Sequence, residues 1–164
     1  MAKNGKVLIL IGSKSDWEVM KEAKTILEEA GVEVLLSIAS AHRTPKRVQS
    51  FCERCEEGEF DLVICGAGMA AHLAGVVASH TLLPVIGVPL GTGGLLGLDA
   101  LLSTVQMPPG VPVATVGINS AKNAAFLALR ILSLKYPQLR DFLIAHREKT
   151  AREVETSAEE IEGK

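Results

Sequence analysis

Six consecutive residues, Ser40-Ala41-His42-Arg43-Thr44-Pro45, put a proton carrier beside a fixed positive charge. Imidazole titrates near neutral pH, so His42 suits proton transfer. The guanidinium of Arg43 offers a planar fork of donors that matches a phosphate or a carboxylate. An apolar run over residues 32–39 precedes the pair and reads as a β-strand. Pro45 fits the first position of a following helix, with Thr44 as its N-cap. His42 and Arg43 therefore fall where a strand's carboxyl end meets a helix's amino end. In parallel α/β folds ligands bind there. The same six residues could form a plain solvated loop, so the rest of the chain has to decide.

Two further loops of the same kind carry small and polar residues. Gly12-Ser13-Lys14-Ser15-Asp16 follows an apolar run over residues 6–11. It offers hydroxyls and backbone N–H groups at a helix N-terminus, a ready site for phosphate. Asp16 suits a sugar diol, although an acid there is also explained by the helix dipole. The third loop, Gly66-Ala67-Gly68, follows residues 61–65, and its glycines would let a flat ring approach the backbone. His72 lies a few residues on, in the first turn of the next helix, facing the same cluster. Each signal is weak alone. Together they describe a nucleotide or sugar-phosphate pocket that contains a histidine.

The elements that would position these loops alternate regularly. Strands are expected at residues 6–11, 32–39, 61–65, 84–88 and 112–116. Helices are expected at 15–30, 45–57, 69–79, 95–105 and 119–135, with a charged terminal helix from Pro137. The pair Ser15 and Glu18 has capping-box spacing for the first helix. Alternation at this pitch means a parallel sheet with right-handed crossovers, an α/β three-layer fold. Five strands favour the flavodoxin-like order 2-1-3-4-5, which sets the three loops side by side. The apolar residues of 124–134 run nearly round the helix, and 70–78 are similar. A helix on a sheet needs only a stripe, so the surplus is expected to face another subunit. The terminal helix, roughly 35 Å long, is expected to reach a neighbour.

Composition excludes several classes. The 164 residues suit one domain spanning 1–164, and 137–164 would be the helix that packs on a neighbouring subunit. Net charge is -2 and aromatics are 4%, with no basic block, so nothing points to nucleic acid. The amino terminus is basic, but the apolar stretch 7–11 is too short for a signal peptide. No apolar run reaches membrane-spanning length, and a cytoplasmic protein is expected. Three cysteines argue against a disulfide framework. Cys52 and Cys55 share an i, i+3, i+4, i+7 face with Val48 and Phe51, which is core spacing, and Cys65 ends a buried strand. No cluster of ligands suggests a metal, and no Walker motif or strand-one G-x-G-x-x-G occurs. His80 is expected as a helix-dipole partner, and His146 as a solvated or interface residue.

With the loops assembled, the chain resembles the bacterial-type (class I) N5-carboxyaminoimidazole ribonucleotide mutases of purine biosynthesis. The likeness rests on GSKSD at Gly12 to Asp16, SAHRTP at Ser40 to Pro45 and GAGxAAHL at Gly66 to Leu73. LPVIGVP at Leu83 to Pro89 and VQMPxGVPVATV at Val105 to Val116 extend it. Ala74 replaces a usual proline, and Gly91-Thr92-Gly93-Gly94 replaces a segment richer in Ser and Thr. The resemblance implies a flavodoxin-like subunit in a homo-octamer, with sites at subunit contacts. It implies transfer of a carboxylate from N5 to C4 of a ribonucleotide without metal, ATP or another cofactor. His42 would be the acid/base, and Ser13, Asp16 and Arg43 would bind substrate. Ser15, Ser40, Ala41, Gly66, Ala67, Gly68, His72 and Leu73 would complete the pocket.

Three rivals are set against this reading. A related carboxylase would take free CO2 and the bare aminoimidazole ribonucleotide, but SAHRTP favours the mutase. A phosphoacceptor signalling domain needs an aspartate at the end of strand three, where Cys65-Gly66-Ala67 stands instead. A non-catalytic sugar-phosphate binder is separated only by an assay.

Overall fold

Lys6–Ile11 form β1, whose five residues from Val7 onward are buried without a polar interruption. Such a run fits a strand covered on both faces. The computed structural model describes residues 4–163, so Lys3 of the basic amino terminus lies outside the described residues. The remaining elements are α1 (Trp17–Glu29), β2 (Glu33–Ile38), α2 (Pro45–Glu56), β3 (Leu62–Gly68), α3 (Leu73–His80), β4 (Val85–Leu90), α4 (Leu98–Val105), β5 (Ala114–Thr115), α5 (Ala121–Leu132) and α6 (Leu139–Glu162). All strand pairs are parallel, in the order β2-β1-β3-β4-β5. The α/β flavodoxin-like architecture read from the sequence is the one observed.

Alternate residues of β1 feed two cores. Val7, Ile9 and Ile11 pack with Met20 and Leu27 of α1 and with Ala124 and Leu129 of α5. Leu8 and Leu10 turn the other way, onto Phe51 of α2 and Leu73 and Val77 of α3. Each of these large side chains contributes about 1.5–3 kcal/mol by leaving water. The pairing Leu8↔Leu35 and Leu8↔Val63 brings the carboxyl ends of β2, β1 and β3 level. The three loops carrying the chemistry are therefore neighbours at one end of the sheet.

Several boundaries differ from expectation, each for a local reason. The capping box of Ser15 and Glu18 does not form: Glu18 pairs with Lys21, while Ser13 caps a short 3-10 turn, Lys14–Asp16, ahead of α1. β3 runs on through Gly68 because Ala67 and Gly68 still pair with Pro89 and Leu90 of β4. That delays α3 to Leu73, with Met69 in a left-handed turn at φ 56°. Leu96 and Gly97, both at positive φ, push the start of α4 to Leu98. Thr44 holds the N-cap position of α2 but its side chain does not cap the helix. The surplus apolar surface of α5 is covered inside the chain: α1 packs on one side, and Leu139, Phe142 and Leu143 of α6 on the other. So α5 does not by itself demand a second subunit, although Leu134 beyond its end is exposed.

Candidate active site

β1 ends in a loop built to present polar groups. Gly12 N–H still donates to Gly66 O at 3.1 Å, which fixes the loop on the sheet. Ser13 is extended, and its hydroxyl accepts from Ser15 N–H at 3.4 Å and lies 3.1 Å from Ser15 Oγ. The 3-10 turn then carries the carboxyl of Asp16 inward until the residue is only 5% exposed. Ser15 Oγ donates to Asp16 Oδ1 at 3.3 Å. Burial raises the Asp16 pKa above its ordinary value, against the pull of the Ser13 and Gly12 amides, the Ser15 hydroxyl and Arg43.

The loop after β2 is closed on itself. Ser40 N–H donates to Thr44 Oγ1 at 2.9 Å, and Thr44 N–H donates to Ser40 O at 2.9 Å. Ser40 Oγ accepts from the backbone N–H of Arg43 at 3.2 Å and from its Nε at 3.4 Å. The guanidinium then reaches across to the first loop, where Nη2 donates to Gly12 O at 3.0 Å. Arg43 thus spans two loops on neutral acceptors and keeps its charge unneutralised. Behind it, Arg47 donates to Ile38 O at 2.8 Å and to Ser37 Oγ at 2.9 Å, anchoring the loop to the edge strand.

His42, projected from this closed loop, meets His72 from the turn before α3. Nε2 of His42 lies 2.7 Å from Nδ1 of His72, and the rings stand at 87° with centroids 4.9 Å apart. One imidazole can donate to the other, which joins residues thirty positions apart in the chain through a direct ring-to-ring hydrogen bond. An arrangement of this kind can accept a proton at one ring and pass it to the other.

These groups line one cavity of about 480 Å³. Of the residues singled out from the sequence, Ser13, Ser15, Asp16, Ser40, Ala41, His42, Arg43, Ala67, Gly68, His72 and Leu73 all line it. Gly66 does not. A Cβ there would lie 2.6 Å from the sulfur of buried Met20, so its small size serves core packing rather than ring approach. Gly68 keeps its place at the cavity wall, and a Cβ there would meet Thr92 Oγ1 at 1.9 Å. Met69 and Ala70, within the GAGxAAHL stretch, also line the cavity, as does Thr92, which nothing in its local sequence marks for it. The continuation of β3 beside β4 brings them in, which the paired glycines of 66–68 and 91–94 concealed.

Elsewhere the candidate groups are quieter. Burial pushes the Cys52 thiol up to about 11 and the Cys55 thiol up to about 12, and raises Cys65 still further from reactivity. All three are buried and free, as core residues. Among the described residues no group of three or more His, Cys, Asp or Glu could hold a metal. His80 ends α3, and His146 stacks on Phe126 at 4.1 Å. No described helix is long and apolar enough to cross a membrane.

A parallel sheet of this order, with a hydroxyl-rich loop, a spanning arginine and paired imidazoles around one cavity at its carboxyl end, defines a flavodoxin-like protein. The chain belongs to the AIR carboxylase family, whose model matches residues 6–153. It is 54% identical to a Pyrococcus horikoshii N5-carboxyaminoimidazole ribonucleotide mutase over 94% of this chain and 87% of that protein. It is 52% identical to the Thermotoga maritima mutase of the same name, covering 96% of this chain and 92% of that one. Among solved structures it is similar to Treponema denticola PurE, with a TM-score of 0.81 and 32% identity over 91% of this chain and 93% of that chain.

Proposed function

We propose that this chain is an N5-carboxyaminoimidazole ribonucleotide mutase, an isomerase of purine biosynthesis that moves a carboxylate from N5 to C4 of its substrate. The observation that carries the reading is the 2.7 Å contact of His42 with His72 beside Arg43 and buried Asp16. Half-identical relatives bearing that name over most of the chain support it. Ser13, Ser15 and Arg43 would hold the 5′-phosphate, and Asp16 the ribose hydroxyls. Gly68 and Ala67 would lie under the ring.

The chemistry balances with these groups alone. The N5–carboxyl bond breaks, N5 takes a proton, and CO2 stays in the pocket. The enamine-like C4 attacks CO2 and forms the new carbon–carbon bond. C4 then gives up its proton, and the imidazole pair that supplied N5 is restored. Keeping CO2 beside the ring confers the effective concentration of an intramolecular step. The substrate's own C4 is the nucleophile, and no protein nucleophile, metal or ATP has a part in this sequence.

We also read the chain as one domain, 1–164, acting as a cytoplasmic homo-oligomer, an octamer by resemblance. The test is an assay with both candidate substrates. Purified protein should convert N5-carboxyaminoimidazole ribonucleotide without added bicarbonate, and labelled CO2 from solution should enter product only slightly. Turnover that needed free CO2 and the bare aminoimidazole ribonucleotide would replace the mutase with the carboxylase. No turnover of either would leave a sugar-phosphate binder.

A further inference from the structure

The chain has seven arginines, and they fall into two unlike groups. The first three are engaged by the protein: Arg43 on Gly12 O and Ser40 Oγ, Arg47 on Ile38 O and Ser37 Oγ, and Arg54 on Glu59. Among the described residues, every hydrogen bond donated by an arginine side chain comes from these three. Three of the other four, Arg130, Arg140 and Arg147, line a single groove of about 560 Å³ between α5 and α6. None of them has a carboxylate within 4.0 Å among the described residues.

The spacing of the sequence builds the two walls of this groove. Asn123, Phe126 and Arg130 recur at three and four residues on α5, so they share one helix face. Arg140, Leu143, Arg147 and Thr150 do the same on α6. Asp141 and Glu148, each next in sequence to one of the arginines, lie about 100° further round the helix. They do not line the groove, and no other acid does. Phe126, early in α5, stacks on His146 of α6 with ring centroids 4.1 Å apart, which sets the helices antiparallel in a fixed register. Arg130 and Arg140 therefore lie toward the connection between the helices, and Arg147 lies beside the aromatic pair. At 1.5 Å per residue, Arg140 and Arg147 are about 10 Å apart along the helix.

We propose that the α5–α6 groove is a binding site for a small polyphosphate anion, separate from the cavity at the carboxyl end of the sheet. The two cavities share no lining residue. One exposed guanidinium would carry no such reading, because exposed ion pairs are weak. Three of them around one groove with no acid in its walls concentrate positive charge in a chain of net charge -2. Each guanidinium can take two phosphate oxygens at once. A single phosphate meets one end of the groove, whereas a chain of phosphates reaches from Arg130 and Arg140 to Arg147. That chain can be free or part of a nucleoside triphosphate, whose base would find apolar surface at Phe126 and Leu143. The groove is of the size of small-molecule sites, which run from about 300 to 1,000 Å³. The site takes no part in carboxyl transfer, and it stands whether or not the catalytic reading does.

Isothermal titration of the full chain at fixed ionic strength tests it, with tripolyphosphate, ATP and inorganic phosphate as probes. Tripolyphosphate should bind saturably and about tenfold or more tighter than inorganic phosphate. Arg140→Gln with Arg147→Gln removes two charge-assisted contacts and should weaken tripolyphosphate about thirtyfold or more. Arg147→Lys keeps the charge, loses the fork and should fall between the two. Arg43→Ala, at the other cavity, should leave tripolyphosphate affinity unaltered. Circular dichroism checks that each variant stays folded. ATP binding tighter than tripolyphosphate, with the advantage lost in His146→Ala, identifies a nucleotide as the ligand; equal affinities identify the phosphate chain alone. Absence of saturable binding overturns the site. Binding that Arg43→Ala abolishes and the groove variants spare would place the anion at the carboxyl end of the sheet and overturn it too. Inorganic phosphate binding as tightly as tripolyphosphate would do the same, because a single phosphate would then suffice.

Discussion

Two aspartates at opposite ends of the sheet are treated in opposite ways. Asp61, just before β3, is met by three donors. Lys135 Nζ lies 2.7 Å away, Tyr136 OH donates at 3.0 Å, and the backbone N–H of Lys6 donates at 2.9 Å. Burial pushes its carboxyl up, but these donors outweigh burial and hold the pKa below 3.8. Nearby, Lys6 sits between Glu33 and Glu59, and Arg54 forks onto Glu59 and holds that carboxyl at about 2. Asp16, at the carboxyl end, is more deeply buried and has no cation within 4.0 Å among the described residues. Its pKa is raised, chiefly by burial. At the amino end the charges of Lys6, Glu33, Arg54, Glu59, Asp61 and Lys135 are answered by the protein, which is what a structural clasp needs. At the carboxyl end a carboxylate, a guanidinium and two imidazoles keep unused bonding capacity, and a ligand can supply the answer.

The strongest way to break this contrast is at the imidazole pair. His42→Asn preserves hydrogen bonding but cannot take up a proton near neutral pH. Steady-state turnover should fall about 10²–10⁴-fold while the thermal midpoint stays put. Near-normal turnover would move the proton carrier to His72. Arg43→Ala comes next. Loss of a charge-assisted contact to phosphate is about 1.5–3 kcal/mol, roughly ten- to hundredfold in affinity. Because Arg43 is exposed and, among the described residues, its side chain bonds only to Gly12 O and Ser40 Oγ, stability should change little. Ribonucleotide titration with unaltered affinity would remove Arg43 from the phosphate site.

The layout of this end was legible in the sequence because sheet order follows from simple counting. Five strands alternating with helices, and an uninterrupted apolar β1, sufficed to place the loops containing Asp16, His42 and Gly68 together. The direct bond between His42 and His72 was not legible, because it depends on where a turn at Met69 halts the chain before α3. Nor was the role of Gly66, whose missing Cβ answers to Met20 on another element. Thr92 was hidden for a related reason: only the pairing of Gly68 with Leu90 shows that β3 and β4 deliver their loops to one cavity. Local pattern identifies elements, whereas contacts between distant loops are settled by the packing of side chains that no single stretch contains.

At the amino end, Asp61→Asn should cost about 1–2 kcal/mol. It weakens three bonds, but the Lys135 ammonium remains largely in solvent. The loss should appear in urea unfolding near neutral pH with catalysis unaltered. Because the folded pKa is depressed, the contribution is present above pH 3.8 and disappears as pH falls through the folded value. The difference between the two proteins should therefore shrink in acid.

Asp16→Asn gives the smallest stability effect and the opposite sign. A raised folded pKa means that the ionised carboxylate is less comfortable in the fold than in the unfolded chain. Below pH 3.8 both states are protonated and the substitution should be nearly neutral. As pH rises through 3.8 and then through the higher folded value, the charge forms more readily in the unfolded chain, and the native protein loses stability. The substituted amide, isosteric and neutral, escapes that loss and can still accept from Ser15 Oγ. The variant's thermal midpoint should therefore sit slightly above that of the unaltered chain at pH 7, and the advantage should fade on acidification. Ribonucleotide affinity should fall in the same variant, because a neutral amide accepts hydroxyl bonds more weakly than a carboxylate. Together these results would mark Asp16 as a charge the fold keeps at a cost because the site uses it. A variant less stable at pH 7 with affinity intact would make Asp16 a second structural clasp and erase the contrast with Asp61.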